Sequence, residues 1–303
     1  MTLALLCSGQ GRQDAALFRL FEGRAAPILD AASITLGTDI RAFVAHASEA
    51  DLYANRASQI LCVACALATA DALFPGGAPP ATLVAGYSVG EVAAWGVAGV
   101  WSPADTLALV DARARAMDAA SGPDDGLGYV RGLPRETVAA LAAAFDCAVA
   151  IVNPDRLIVV GGTRAAVSAL CTAALAQGAL RVGAMPVHVA SHTPRLTDAV
   201  APFAHALAEI DPLRPKLRLI SATDQGIVGI PARATAGLAA QVATTIDWAA
   251  LLEALAERDV THVLELGPGS ALAEMARPVL PNAQVRAVDD FRTLEGVQDW
   301  LGR

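Results

Sequence analysis

The stretch Ala81-Thr82-Leu83-Val84-Ala85-Gly86-Tyr87-Ser88-Val89-Gly90-Glu91-Val92-Ala93-Ala94-Trp95 decides how the chain reads. Ala81 to Ala85 follows the breaker Gly76-Gly77-Ala78-Pro79-Pro80 and has the apolar run of a buried strand. From Val89 to about Ala98 the sequence reads as an apolar helix. Between the two lies Gly86-x-Ser88-x-Gly90, the spacing of a nucleophile elbow, in which small flanking residues let the backbone turn sharply and hold a hydroxyl out of the bend. Three fixed positions arise by chance in roughly one chain in ten of this size. The strand before and the helix after therefore carry the argument. The plain alternative is a serine that merely starts a helix. If it is a nucleophile, the helix beginning there offers free N–H groups to a developing oxyanion, Val89 first.

Outward from this point, short β-rich runs alternate with longer alanine-rich ones, which predicts an α/β protein with a largely parallel sheet. Leu3 to Cys7 reads as a first strand running into Ser8-Gly9-Gln10-Gly11, and Leu52 to Phe74 as a long helix. Ser102-Pro103-Ala104-Asp105 carries a capping serine, a first-turn proline and an acid three residues on, so a helix is expected from there to about Ala120. Over Leu127 to Met185 the order becomes strand, helix, strand, tight turn at Asn153-Pro154-Asp155, strand, helix, strand. That is the β-α-β-β-α-β order of a ferredoxin-like unit. The expected division is a small subdomain at 124–187 inserted into a core of 1–123 and 188–303, whose sheet resumes with Leu217 to Ser221 and Thr261 to Leu266.

The chain has 303 residues, 54% apolar and 17% charged, which suits a sizeable folded core and excludes intrinsic disorder. The longest unbroken apolar stretch, near Ile60 to Ala70, is about half the roughly 20 residues a bilayer helix needs, so no membrane span is expected. The opening MTLALLCSGQGR does not read as a secretory signal, and the default location is the cytoplasm. A net charge of −8 disfavours nucleic acid as a partner. Cys7, Cys62, Cys65, Cys147 and Cys171 are odd in number and scattered. Even the Cys62-x-x-Cys65 pair falls inside a helix without a neighbouring histidine, so these read as buried thiols and no metal site is expected. Neither Gly9-Gln10-Gly11 nor Gly267-Pro268-Gly269 extends into a dinucleotide-binding GxGxxG.

A nucleophilic serine needs a base, and five histidines are available. His192 precedes Thr193-Pro194 on a loop after a strand, where catalytic groups are displayed. His188 is the reserve. His46 and His205 fall in helical segments, and His262 starts a strand.

At this point several motifs resemble malonyl-CoA:acyl carrier protein transacylases. Gly86-Tyr87-Ser88-Val89-Gly90-Glu91 resembles the family's GHSxGE, and Gly9-Gln10-Gly11-Arg12-Gln13 its PGQGxQ, with Ser8 in place of proline. Arg113-Ala114-Arg115-Ala116-Met117 resembles RGxxM, 25 residues after the serine. Val189-Ala190-Ser191-His192 is similar to the segment carrying the family histidine, and Gln241, Trp248 and Glu265-Leu266-Gly267-Pro268-Gly269 match its closing motifs. The resemblance implies an α/β-hydrolase-like core with a ferredoxin-like subdomain, and a two-step transfer. Ser88 attacks malonyl-CoA while His192 takes its proton, and a carrier thiol then attacks the malonyl-serine ester. It further implies an oxyanion hole from the Gln10 and Val89 amides, a carboxylate clamp at Arg113, and a main-chain carbonyl near Gln241 that orients His192. No cofactor is permanently bound on this reading; malonyl-CoA is substrate. Arg115, two positions on, points elsewhere and is read as structural.

Tyr87 departs from the family's usual histidine. GYSVGE, VASH and the leading CSGQGRQ together resemble the epsilon subunit of malonate decarboxylase, a transacylase that primes that enzyme's own carrier subunit. The alternatives are a transacylase of fatty-acid or polyketide synthesis and, further off, a serine esterase or thioesterase, which would have no need of Arg113. A scaffold that keeps the fold without catalysis is a third. For docking an acidic carrier, the basic residues after His192, namely Arg195, Arg214, Lys216 and Arg218, are the expected approach.

Overall fold

The computed structural model describes residues 1–24 and 26–302. Two five-stranded sheets organise the chain. The first contains β1 (Leu3–Cys7), β2 (Leu83–Gly86), β7 (Arg218–Leu219), β9 (His262–Glu265) and β10 (Gln284–Ala287), in the order β10-β9-β1-β2-β7, and every pairing is parallel. Helices cover both faces of such a sheet, which is why β1 and β2 are continuous apolar runs with every residue buried.

Register then sets the site. Cys7 pairs with Gly86 and Leu6 with Glu265, so the loops after β1, β2 and β9 leave the sheet side by side at its carboxyl end. The chain adds strands on one side of β1 and later returns to add them on the other. The crevice opens at that change of direction, the usual ligand position in open parallel sheets.

The second sheet contains β3 (Asp125–Arg131), β4 (Ala148–Asn153), β5 (Leu157–Thr163) and β6 (Arg181–Ala184), antiparallel in the order β6-β3-β5-β4. A short fifth strand, β8 (Ile246–Asp247), pairs parallel to β4 from the far part of the chain. Side chains alternate across this sheet. Val130, Val152, Ile158 and Val160 bury against helices Arg135–Ala144 and Arg164–Ala176 in a small core of their own. Their neighbours Tyr129, Arg131, Asn153, Leu157 and Val159 turn toward the first sheet and wall the crevice.

The helix expected over Leu52 to Phe74 forms as Glu49–Leu52 and Asn55–Leu73. The second is long and apolar enough to cross a bilayer, which the uninterrupted apolar stretch alone did not indicate, but it is largely buried inside this fold. Cys62 and Cys65 are buried within it. The helix expected from Ser102 is Pro103–Ala120, with the Ser102 hydroxyl accepting from the Asp105 amide.

Candidate active site

Ser88 joins β2 to helix Val89–Val97 with φ +57° and ψ −120°, a conformation that costs a non-glycine residue about 1–3 kcal/mol. Its two glycine neighbours permit the bend. A Cβ on Gly86 would lie 2.0 Å from the main chain of Gly90, and one on Gly90 would lie 2.1 Å from the carbonyl oxygen of Cys7. Both obstacles are backbone, so no side-chain rotation relieves them.

His192 reaches the serine from 104 residues away. Its Nε2 is 2.7 Å from Ser88 Oγ, and its Nδ1 is 2.7 Å from the main-chain oxygen of Gln241. A carbonyl can only accept, so Nδ1 carries the proton and Nε2 presents its lone pair to the serine hydroxyl. The His192 amide also donates to Val242 O at 2.8 Å, which anchors the loop to the turn Gln241–Ala243. Burial, followed by the nearby charge of Arg113, pushes the imidazole down to about 3 against the pull of the Gln241 carbonyl, so the ring is neutral near pH 7. His46, His188 and His205 are exposed, and His262 contacts Trp300. None of these is joined to Ser88.

Arg113 is completely buried. Its Nη1 donates to Gln59 Oε1 at 2.6 Å, while Nε and Nη2 have no partner. Burial lowers its pKa to about 10, opposed by the carboxylate of Glu91, so the guanidinium remains charged. A buried charge with two free N–H donors is poised for an anion. Arg115 instead lies on the outside of the helix, paired with Asp111 at 2.7 Å.

The Gly9-Gln10 loop lies against the elbow: a Cβ on Gly9 would stand 2.9 Å from Tyr87 O and 3.7 Å from Ser88 Cβ. Gln13 sets its shape, accepting from the Gly11 and Arg12 amides at 2.8 and 3.0 Å while its own amide donates to Ser58. Gln10 Nε2 reaches Asn55 Oδ1 at 3.4 Å, and Asn55 in turn accepts from Gln59 at 2.7 Å, linking this loop to the arginine. Ser8 donates to Glu265 at 2.8 Å, and Glu265 accepts from the Ala273 amide at 2.8 Å. Burial raises that carboxyl to about 7. Sequence reasoning assigned no role to Gln13, Asn55, Gln59 or Glu265. The available signal was Asn55, Ser58 and Gln59 at helical spacing just before the apolar run Ile60 to Ala68.

A cleft of about 570 Å³ lies between the sheets beside the elbow, lined by Ser8 to Arg12, Tyr87, Tyr129, Arg131, Arg181 and the segment after β9. Tyr87 stands edge-on to Trp248, with ring centroids 5.2 Å apart, and burial pushes its phenol well above the usual range. It both packs and shapes the cleft.

The expected basic approach does not assemble here. Arg195 is held by Asp125 at 2.9 Å. Arg218 pairs with Leu83, the first residue of β2, three residues before its last, Gly86, and Ser88 lies two residues further on. Three residues at about 3.3 Å each place Arg218 roughly 10 Å toward the opposite end of the sheet. Lys216 is there too, its amide bonded to Ala98 O and its stem against Gly99, beyond the far end of the elbow helix. Sequence proximity to His192 misled because the helix Thr197–Ala208 carries the chain away from the site.

A parallel α/β sheet, a strained serine at its carboxyl edge and a neutral histidine on that serine define the acyl-transfer class of architecture. The acyl transferase domain family matches residues 5–288, and the chain belongs to that family. The malonyl CoA-acyl carrier protein transacylase of Mycobacterium bovis is 32% identical over 207 residues, 68% of each chain. The polyketide biosynthesis protein ThaF of Burkholderia thailandensis is 30% identical over 92% of this chain, which spans only 24% of that larger protein. The crystal structure of the acyl-carrier-protein S-malonyltransferase from Burkholderia pseudomallei superposes with a TM-score of 0.91 at 30% identity, covering 99% of this chain and 100% of that one.

Proposed function

We propose that this chain is a malonyl-CoA:acyl carrier protein S-malonyltransferase working through a Ser88 ester. The observation that carries the reading is the buried Arg113, with two unpartnered N–H donors, close enough to the Ser88–His192 pair for its charge to act on the imidazole. His192 Nε2 takes the Ser88 proton as Oγ attacks the thioester carbon of malonyl-CoA. The Val89 and Gln10 amides hold the oxyanion, and as it collapses the C–S bond breaks and the CoA sulfur leaves with the proton from His192. A carrier thiol then gives its proton to His192 and attacks the ester carbon, the C–O bond to Ser88 breaks, and His192 returns the proton to Ser88 Oγ. Arg113 pairs with the malonyl carboxylate, and an acetyl group would leave those donors unsatisfied.

As acceptor we favour the carrier subunit of malonate decarboxylase, supported by Tyr87 in the GYSVGE elbow and by the VASH and CSGQGRQ segments. The second reading, a transacylase of fatty-acid or polyketide synthesis, is supported by relatives named as a polyketide biosynthesis protein and as a malonyl CoA-acyl carrier protein transacylase. The architecture is read as an α/β-hydrolase-like core, 1–123 and 188–303, bearing a ferredoxin-like unit at 124–187, supported by the strand order β6-β3-β5-β4.

The test is to incubate the protein with malonyl-CoA, map the adduct by mass spectrometry and then offer a phosphopantetheine carrier and a phosphoribosyl-dephospho-CoA carrier. A malonyl adduct on Ser88 that either carrier discharges is the expected result. Hydrolysis without transfer would make the protein an esterase, and discharge by the phosphopantetheine carrier alone would overturn the decarboxylase assignment.

A further inference from the structure

No acidic side chain touches His192 among the described residues; its Nδ1 meets only a main-chain oxygen. What holds that oxygen in place is therefore a question with structural content. Glu91, third residue of the elbow helix, is 1% exposed. A carboxylate so buried needs donors. Its Oε1 accepts from the Ala222 amide at 3.2 Å, and its Oε2 accepts from the side-chain amide of Gln241. Gln241 is the residue whose main-chain oxygen receives His192 Nδ1–H, and its own side chain is fixed by this one carboxylate, since its Oε1 has no partner. One carboxylate on the nucleophile's own helix thus ties the elbow to the turn that orients the base.

We propose that Glu91 is a positioning residue that acts through the Gln241 side chain, fixing the main-chain carbonyl that keeps His192 in its Nδ1–H form facing Ser88. Its place corresponds to the acid of a Ser-His-Asp triad, displaced outward by one residue, and no proton passes to it. The inference rests on the acyl-serine reading above. Both oxygens of the residue at 91 act as acceptors, one for the Ala222 amide and one for the Gln241 side chain, which a carboxyl group supplies. Glutamine there offers one oxygen and one NH2, so Gln241 can pair with it only by turning its own amide over, which moves its NH2 into the buried position where its oxygen now finds no partner.

Three variants test this, each checked for folding by thermal melting. Glu91→Gln and Gln241→Met preserve volume, and the second keeps the main-chain carbonyl. In each, the maximal rate of Ser88 acylation by malonyl-CoA is expected to fall about tenfold to hundredfold, as for a misplaced catalytic group, while KM stays within about twofold because Arg113 is untouched. The exchange Glu91→Gln with Gln241→Glu restores both links: the amide oxygen at 91 takes the Ala222 N–H, and its NH2 donates to the new carboxylate. It is expected to recover the rate to within about threefold of the wild-type protein. A folded single variant with the wild-type rate overturns the proposal, as does a folded exchange no faster than Glu91→Gln alone. Should the exchange not fold, Glu91→Gln combined with Gln241→Met decides: a loss equal to either single supports the shared path, and a multiplied loss overturns it. The wild-type protein is assayed for its Ser88 adduct in parallel. Without that adduct both readings fall; with it, unaffected variants remove only the role of Glu91.

Discussion

Replacing Arg113 by alanine removes, among the described residues, the one buried cationic side chain with free donors. In the proposed complex Nε and Nη2 would each give a charge-assisted bond to the malonyl carboxylate, at about 1.5–3 kcal/mol apiece. Their loss, about 3–6 kcal/mol, lowers kcat/KM for malonyl-CoA by roughly 10²–10⁴ at 1.4 kcal/mol per decade. Acetyl-CoA responds differently. It has no carboxylate to lose, and in the wild-type protein it buries two N–H groups without partners. Removing the guanidinium also removes the charge that, after burial, most depresses the basicity of His192. Acetyl transfer is therefore expected to hold or rise, and the malonyl-to-acetyl ratio to fall by at least about 10². The assay is competition: equal concentrations of the two thioesters, brief incubation, and mass-spectrometric counting of the two Ser88 adducts. A ratio within threefold of the wild-type value, in protein that melts normally, would refute the clamp.

Ser88→Ala is expected to abolish the adduct, and His192→Ala to slow its formation by about 10²–10⁴; an undiminished adduct in either would reject that residue's role. Gly86→Ala puts a methyl 2.0 Å from the Gly90 backbone, so a loss of about 3 kcal/mol or more is expected, with Tm at least about 6 °C lower; an unchanged melt would mean the elbow relaxes freely. Stability in urea is expected to decline as pH rises from about 5 to 6.5. Glu91 and Glu265, each raised from 4.5 to about 7 chiefly by burial, bind protons in the native state that the unfolded chain has released, whereas His192, lowered from 6.5 to about 3, does the reverse. Two groups oppose one, leaving about one proton, or about 1.4 kcal/mol per pH unit, in favour of acid; a midpoint that climbs across this range would contradict the balance. Lys216→Glu, at the wrong end of the sheet, is expected to leave the carrier's KM within twofold, whereas Arg181→Glu in the cleft wall raises it; the opposite pattern would restore the approach expected from sequence.

The sequence was most legible where one local pattern fixes one local geometry. A buried apolar run, two glycines around a serine and an apolar helix leave the backbone little choice at residues 83–97, and Ser102-Pro103 announces a helix start by its own hydrogen bonding. Strands β8 and β10 went unread because two to four residues of mixed character form strands only when a neighbouring strand is there to receive them. The same limit applied to function. Ser88 and His192 could be named from their loops, and Arg113 from a motif, but the polar groups that hold them are defined by pairings across 45 to 257 residues: Gln13 with Ser58, Glu91 with Gln241, Ser8 with Glu265. Each of these is a polar side chain deep in an apolar interior, where isolation is costly and a partner is obligatory. A buried glutamate three residues after a nucleophile is therefore informative before any partner is known. It cannot be there for packing alone, since leucine would pack as well without a charge to satisfy. The same reasoning explains why the cationic stretch after His192 was a poor guide. Exposed charges need no specific partner, so their proximity in sequence constrains nothing about where the fold delivers them.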